Sequence, residues 1–295
     1  MKVDKLRTVI IYIIIILLGL VCLLPLLNIV AISFSSSAAV EGNMVGLIPV
    51  GFSTAAYKKI LEDSQFWHSF LISVERVVLA LIINFVLIVL MAYPLSKTNA
   101  QFRGRNIYAN LMIFAMLFNG GMIPTFLVVK SYGLLNTVWA LVLPGAVPIF
   151  NVILVMNFFA AVPKELEEAA FIDGANPFQV LTKIFIPISK PVLATVSLFS
   201  IVGSWNDFYS GLIYMSKAAY YPLMTYIQSL QINVEDLIKQ GNLSAVVDSA
   251  SLGNTNLNAA KIVIAVIPLL LIYPLLQRYF CLLYTSPSPR DLCTS

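Results

Sequence analysis

The sequence predicts an all-α, polytopic membrane protein with six transmembrane helices. Hydrophobic residues make up 59% and charged residues 11% of the 295, against about 45–50% and about 25% in soluble domains. The apolar residues collect into runs long enough to cross a bilayer, which takes about 20 residues. The polar and charged residues collect between those runs. Together these define one transmembrane domain over residues 1–280, with spans at about 9–33, 67–95, 107–130, 137–160, 192–215 and 260–281.

The first span follows the basic stretch Met1–Arg7. Its apolar run exceeds a signal peptide's core of about 7–15 residues, so it reads as an uncleaved anchor despite the small residues Ser36-Ser37-Ala38-Ala39. Between spans one and two, Ser53-Thr54 before Ala55–Asp63 reads as the start of a short interfacial helix. Span two carries His68 at its end and Glu75-Arg76 near its outer end, read as a local ion pair or snorkelling pair. In span three, Asn119-Gly120-Gly121 and Pro124 interrupt the apolar run. Span five holds Gly203-Ser204-Trp205-Asn206-Asp207, and Pro268 and Pro274 are expected to kink span six.

Net charge is +4, with no Lys/Arg-rich run of the kind that binds nucleic acid. With the N-terminus in the cytoplasm, and Arg290 of the tail left aside, ten cations lie inside and seven outside or near the outer surface, among the latter Arg76, Lys239 and Lys261. Short loops set orientation, and Ser96–Arg105 holds three cations and no acid, which favours an inside N-terminus. Cys22, Cys281 and Cys293 form neither a disulfide framework nor a metal spacing, and a single histidine builds no metal site. No metal, cofactor or catalytic residue is expected on this chain.

The loop 161–191 is the most informative segment. Pro163 opens it, and Lys164–Asp173 has helix-forming composition. Gly174 sits where a helix end wants a residue that tolerates positive φ. Asn176 suits a cap for a second helix with Pro177 in its first turn, and Pro187 and Pro191 close the loop. Glu165, Glu167, Glu168 and Asp173 give it an acidic face, while Ala169 and Ala170 let a partner backbone come close. On spacing alone, an amphipathic loop lying on the membrane also fits.

Glu168-Ala169-Ala170, then Gly174, then Ile184-x-Ile186-Pro187 resembles the EAA motif of ABC importer permeases, E-A-A-x3-G-x9-I-x-L-P. The one departure is Ile186 for Leu. Phe102–Asn106, Gly120–Pro124, Glu167–Asn176 and Trp205–Asp207 resemble the carbohydrate-uptake branch, the maltose-type inner-membrane permeases, and within it the complex-polysaccharide or aldouronate type. The likeness spans about residues 5–280. It implies the ABC importer permease fold with cytoplasmic coupling helices, in a bacterial plasma membrane. It also implies an ATPase contact through Glu167, Glu168, Ala169, Ala170, Asp173, Gly174, Ile184 and Pro187. The implied partners are a second permease, two ATP-binding subunits and an extracellular solute-binding protein. ATP would be used by the partner, since this chain lacks a G-x-x-x-x-G-K-[ST] loop.

Polar residues and broken backbone at membrane depth mark cavities. Asn119, Gly120, Gly121, Trp205, Asn206, Asp207 and Tyr209 are therefore the candidate substrate pathway, with Trp205 and Tyr209 on one helical face at i, i+4. The glycines equally suit close helix packing, and Trp205-Asn206-Asp207 equally suits an interhelical hydrogen-bond cluster. An Asp207 buried in a span must be paired or protonated. An ion-gradient-driven transporter or channel is the alternative class, against which the spans offer no relay of carboxylates or histidines. Beyond Tyr273–Phe280, the terminal residues 281–295 resemble translated sequencing-adapter DNA and are expected to be an artefactual tail.

Overall fold

The computed structural model describes residues 2–230 and 255–285. The described residues are helical, turn or loop, with no strand among them. The chain divides into two compact units. One comprises Met1–His68 with Tyr226–Pro268, the other Ser69–Thr225 with Leu269–Ser295.

In the first unit, α1 (Lys2–Ser33) carries the first apolar run. Its side chains from Ile10 to Leu18 all stand exposed, as suits a helix whose neighbour is lipid. At its end, Ser35 Oγ donates to Ala31 O at 2.7 Å and accepts from Val50 N at 3.0 Å, tying the following loop back onto the helix. That loop holds α2 (Ser37–Glu41), capped by Ser36, and α3 (Ala55–Glu62), which starts where the sequence places it, with Ser53 Oγ accepting from Ala55 N. Asp63 then receives Lys261 Nζ at 2.8 Å and Tyr226 OH at 2.9 Å. Lys261 is thus buried in a pair.

The second unit contains most of α4 (Ser64–Ser96), the second span, which is unbroken. The next three spans depart from straight rods. Span three is α5 (Arg105–Leu117) and α6 (Met122–Ser131), which meet at 112° across Asn119-Gly120-Gly121. Span four is α7 (Val138–Val142), extended by a 3-10 turn to Gly145, and α8 (Ile149–Ala160), bent by 48° between Pro144 and Pro148. Neither proline can donate to a helix ladder.

After α9 (Lys164–Ile172) come α10 (Pro177–Val180), a π-helical turn over Leu181–Phe185 and α11 (Ile186–Ile188). Pro187 has no N–H to offer, which loosens the ladder of the turn before it. The chain then swings by 83° into α12 (Lys190–Asn206) and on to α13 (Tyr209–Tyr214). Span five therefore ends its main helix at Asn206, earlier than the sequence reading has it.

The core of this unit joins Ile88, Val89 and Ala92 of α4 to Val152, Val155 and Phe159 of α8, Val180 to Phe185 of the loop, and Val192, Leu193 and Val196 of α12. Lipid is as apolar as these side chains. Close packing rather than escape from water is what holds them together.

The last span is α14 (Thr255–Thr285), which continues through Pro268 and Pro274. Lys239 and the tail from 286 onward lie outside the described residues.

Candidate functional site

The candidate residues fall in the second unit, at the loop between α8 and α12, at a cavity that only Asp207 of the pathway candidates lines, and at the break between α5 and α6. The first is the loop between α8 and α12. Gly174 takes φ +81°, so the turn that closes α9 needs a left-handed residue, as the sequence predicts. Ala175 N returns to Ala170 O at 2.9 Å and Gly174 N to Phe171 O at 3.0 Å. Asn176 Oδ1 accepts from Gln179 N, and Gln179 Oε1 accepts from Asn176 N, each at 2.9 Å. This reciprocal capping box fixes where α10 begins. The hairpin is thus set by local chemistry, with its turn hydrogen-bonded on both sides of Gly174.

The eight candidates of this loop do not form one face. Glu168, Ala169, Asp173, Gly174 and Pro187 are exposed. Ala170 and Ile184 pack onto the core. Glu167 is the buried residue of α9. Both of its carboxylate oxygens lie 2.7 Å from Lys97 Nζ, so it is turned inward and does not share the acidic face read from sequence with exposed Glu165, Glu168 and Asp173.

Lys97 stands just past the end of α4, with its ammonium 4.2 Å from the ring centroids of both Tyr93 and Phe185. Burial lowers the Lys97 pKa below its ordinary value, an effect opposed by the pair with Glu167. The sequence reading also overlooked the apolar tip. Ile172 is 86% and Phe178 66% exposed, flanking the turn on either side. Apolar residues beside Asp173-Gly174 and Asn176-Pro177 were the available signal, since a solvated turn has no use for them.

The second place is a cavity of about 250 Å³ between α4, α7, α8 and α12, its wall mixed, with Arg76, Asn84, Asn151, Ser200, Asp207 and Ser210 beside apolar Leu141, Val142 and Phe199. Arg76 Nη1 donates to Asp207 O at 2.8 Å, and its Nη2 pairs with Asp207 Oδ2. Asp207 Oδ1 accepts from Ser210 N at 3.1 Å and Oδ2 from Ser210 Oγ at 2.6 Å. One carboxylate therefore ends α12, starts α13 and neutralises a buried guanidinium.

Asp207 is paired, as its burial requires. Arg76, however, pairs across the unit rather than with Glu75, which is exposed. Asn84, in the orientation that satisfies both of its amide atoms, donates to Ala146 O at 3.0 Å and accepts from Ser200 Oγ at 3.3 Å. Asn84 and Asn151 were missed although amides in mid-span are as costly as the residues that were chosen.

Trp205 and Tyr209 do not share a helical face, because the break at Asp207 separates them. Trp205 is 4% exposed and edge-on to Phe70, with ring centroids 5.7 Å apart, so its indole is unavailable for stacking. Asn206 turns back to its own helix, donating to Val202 O at 3.0 Å. Tyr209 is exposed, and its hydroxyl donates to Met122 Sδ at 3.0 Å, which brings it beside the Asn119-Gly120-Gly121 break. At that break Asn119 Oδ1 accepts from Gly121 N at 3.0 Å.

Comparison with known proteins matches residues 2–281 to the family model described as the inner membrane component of binding-protein-dependent transport systems. Protein LplC of Bacillus subtilis is 41% identical over 262 residues, 89% of this chain and 87% of that protein. The polygalacturonan/rhamnogalacturonan transport system permease protein YtcP of the same organism is 38% identical over 277 residues, 94% and 96% of the two chains. A solved bacterial ABC transporter involved in import of the acidic polysaccharide alginate superposes with a TM-score of 0.83 at 32% identity. The match covers 95% of this chain and 98% of that one.

Proposed function

The chain belongs to the family of binding-protein-dependent transport system inner membrane components, and from that membership we propose that it forms half of the sugar pathway of an ATP-driven oligosaccharide importer. It is a multi-pass membrane permease, and its relatives are permeases of carbohydrate ABC importers. The other parts are a second permease, two ATP-binding subunits and an extracellular solute-binding protein. ATP is used by the ATP-binding subunits, and this chain carries no cofactor. In this reading the N-terminus faces the cytoplasm, the side favoured by the three cations of Ser96–Arg105.

The observation that carries the coupling role is the hairpin of α9 and α10, with Glu168, Ala169, Ile172 and Phe178 turned outward. When ATP closes the two ATP-binding subunits, each carries a docked hairpin with it. The bundle then moves between inward-open and outward-open states, a two-state element biased by ligand. Sugar hydroxyls meet Tyr209 and the Asn119–Gly121 break on the way. Against the ion-gradient alternative, the intramembrane carboxylate Asp207 is paired with Arg76.

A single cysteine at exposed Ala169, in a chain whose own cysteines are replaced, tests the docking. It should cross-link to an ATP-binding subunit in native membranes. If it captures none, the hairpin is not the docking element.

A further inference from the structure

We infer that Lys97 and Glu167 are positioning residues that lock the docking hairpin to the end of α4, so that the hairpin and the second span move as one body. The inference rests on the docking reading and adds where the load enters the bundle. A docked helix transmits force only through what it grips inside its own chain. Along α9, Glu167 is the buried residue, and both of its carboxylate oxygens sit at 2.7 Å from Lys97 Nζ.

The two side chains are each 11% exposed, so water scarcely competes for the bond. The ammonium is also held between two aromatic faces at 4.2 Å. Tyr93 belongs to α4 and Phe185 to the return helix of the hairpin. One cation therefore joins the hairpin's two arms to a single span. Nearby, Arg105 Nε donates to Leu95 O at 2.9 Å and satisfies a carbonyl at the end of α4. Neighbouring Glu168 is exposed. The two adjacent carboxylates thus divide the work, one facing the partner and one gripping the bundle.

The test uses the complete transporter in lipid nanodiscs, with ATP and vanadate as the only ligands, so no sugar need be known. The native cysteines are replaced, and spin labels are placed at Lys164 on α9 and Leu90 on α4, both exposed. In the unaltered pair, the label distance should be the same in the resting and vanadate-trapped states. In Lys97→Met, which keeps a long apolar stem but no charge, the trapped distance should shift or broaden beyond about 2 Å, the scale of helix shifts in switching transitions. ATP hydrolysis should persist, because the exposed docking face is untouched.

Lys97→Arg can still reach the carboxylate and stack on both rings, and should restore the fixed distance. Glu167→Gln, which keeps the shape and one acceptor, should loosen it partly. The inference is overturned if the Met variant keeps the fixed distance, or if the unaltered pair already moves apart on trapping. It is equally overturned if Met, Gln and Arg variants all fail to assemble, since the pair would then serve folding alone. Failure of docking itself is seen separately, as loss of the Ala169 cross-link in the unaltered chain.

Discussion

Arg76 and Asp207, 131 positions apart, are joined at two points: the guanidinium donates both to the main-chain oxygen and to the carboxylate of Asp207. The first contact satisfies backbone left open where α12 stops, and the second neutralises a charge in a span. A broken helix at membrane depth is tolerated only where its freed groups find partners. Here a second span supplies the partner, and Ser210 completes the set.

Removing either partner strands the other. Asp207→Ala and Arg76→Leu should each cost about 3–5 kcal/mol, the range for breaking a buried pair. The double variant should cost less than the sum. Thermal unfolding of the four proteins in detergent gives the coupling energy directly. Additivity would show that the two residues act independently.

This pairing also shows what the sequence could and could not tell. The six spans were legible because each is a run of apolar residues. The hairpin was legible because Gly174, Asn176 and Pro177 determine their turn through neighbours only. The gap in span three was legible for the same reason, at Gly120-Gly121. Pro144 and Pro148 carried an equivalent signal for span four that went unread. For Asp207 the sequence showed that a buried carboxylate needs a partner, and Ser210 is a local one, but not that Arg76 arrives from elsewhere in the chain. Lys97 and Glu167, 70 positions apart, are the same case. Their residue types allowed a surface acid and a loop cation, and only the fold turns them toward each other.

At Gly174 the space beside the Cα is open and only the backbone angle resists substitution. Gly174→Val should therefore cost about 1–3 kcal/mol, the range for such strained residues. Gly174→Asn should cost less, because asparagine tolerates the left-handed region. Cross-linking from Ala169 to the ATP-binding subunit should fall with Val and survive with Asn, while insertion in the membrane is unchanged for both.

Gly211 presents the opposite situation. A Cβ there would lie 2.1 Å from Thr225 Oγ1 and 2.8 Å from its Cβ and Cγ2. Thr225 is fully buried and its hydroxyl donates to Phe208 O at 2.8 Å, so it has little room to yield. Gly211→Ala should lower thermal stability by about 1–3 kcal/mol through overpacking. Adding Thr225→Ala removes two of the three clashes and should recover part of the loss, as read from unfolding midpoints in detergent.

Asp63 gives a pH dependence with a definite sign. Burial pushes its carboxyl up, but hydrogen bonds from Lys261, Phe66 N and Tyr226 outweigh that and leave its pKa below the ordinary value. A depressed folded pKa means that the stabilisation is complete above the unfolded value of about 3.9 and is lost as pH falls through the folded value. Tyr226 is shifted upward, by burial first and then by Asp63, and stays neutral throughout. The gap in melting temperature between the native chain and Asp63→Asn should be constant from about pH 7 to 5 and shrink below about pH 4. A gap that widens on acidification would contradict the pairing.

Trp205 and Tyr209 divide two roles that the sequence assigned jointly. A sugar-stacking indole must be reachable, and Trp205 is packed against Phe70 instead. Trp205→Ala should therefore act on the fold, costing about 3–5 kcal/mol, and lower the yield of assembled transporter in step with transport. Tyr209 is 53% exposed and its hydroxyl donates to Met122 Sδ of α6, a weak acceptor that a hydroxylated ligand would readily replace. Tyr209→Ala should leave assembly and melting temperature near those of the native chain while reducing uptake of the labelled carbohydrate substrate by whole cells. Equal losses of assembly and uptake in the Tyr209 variant would remove it from the pathway and leave the Asn119–Gly121 break as its remaining candidate.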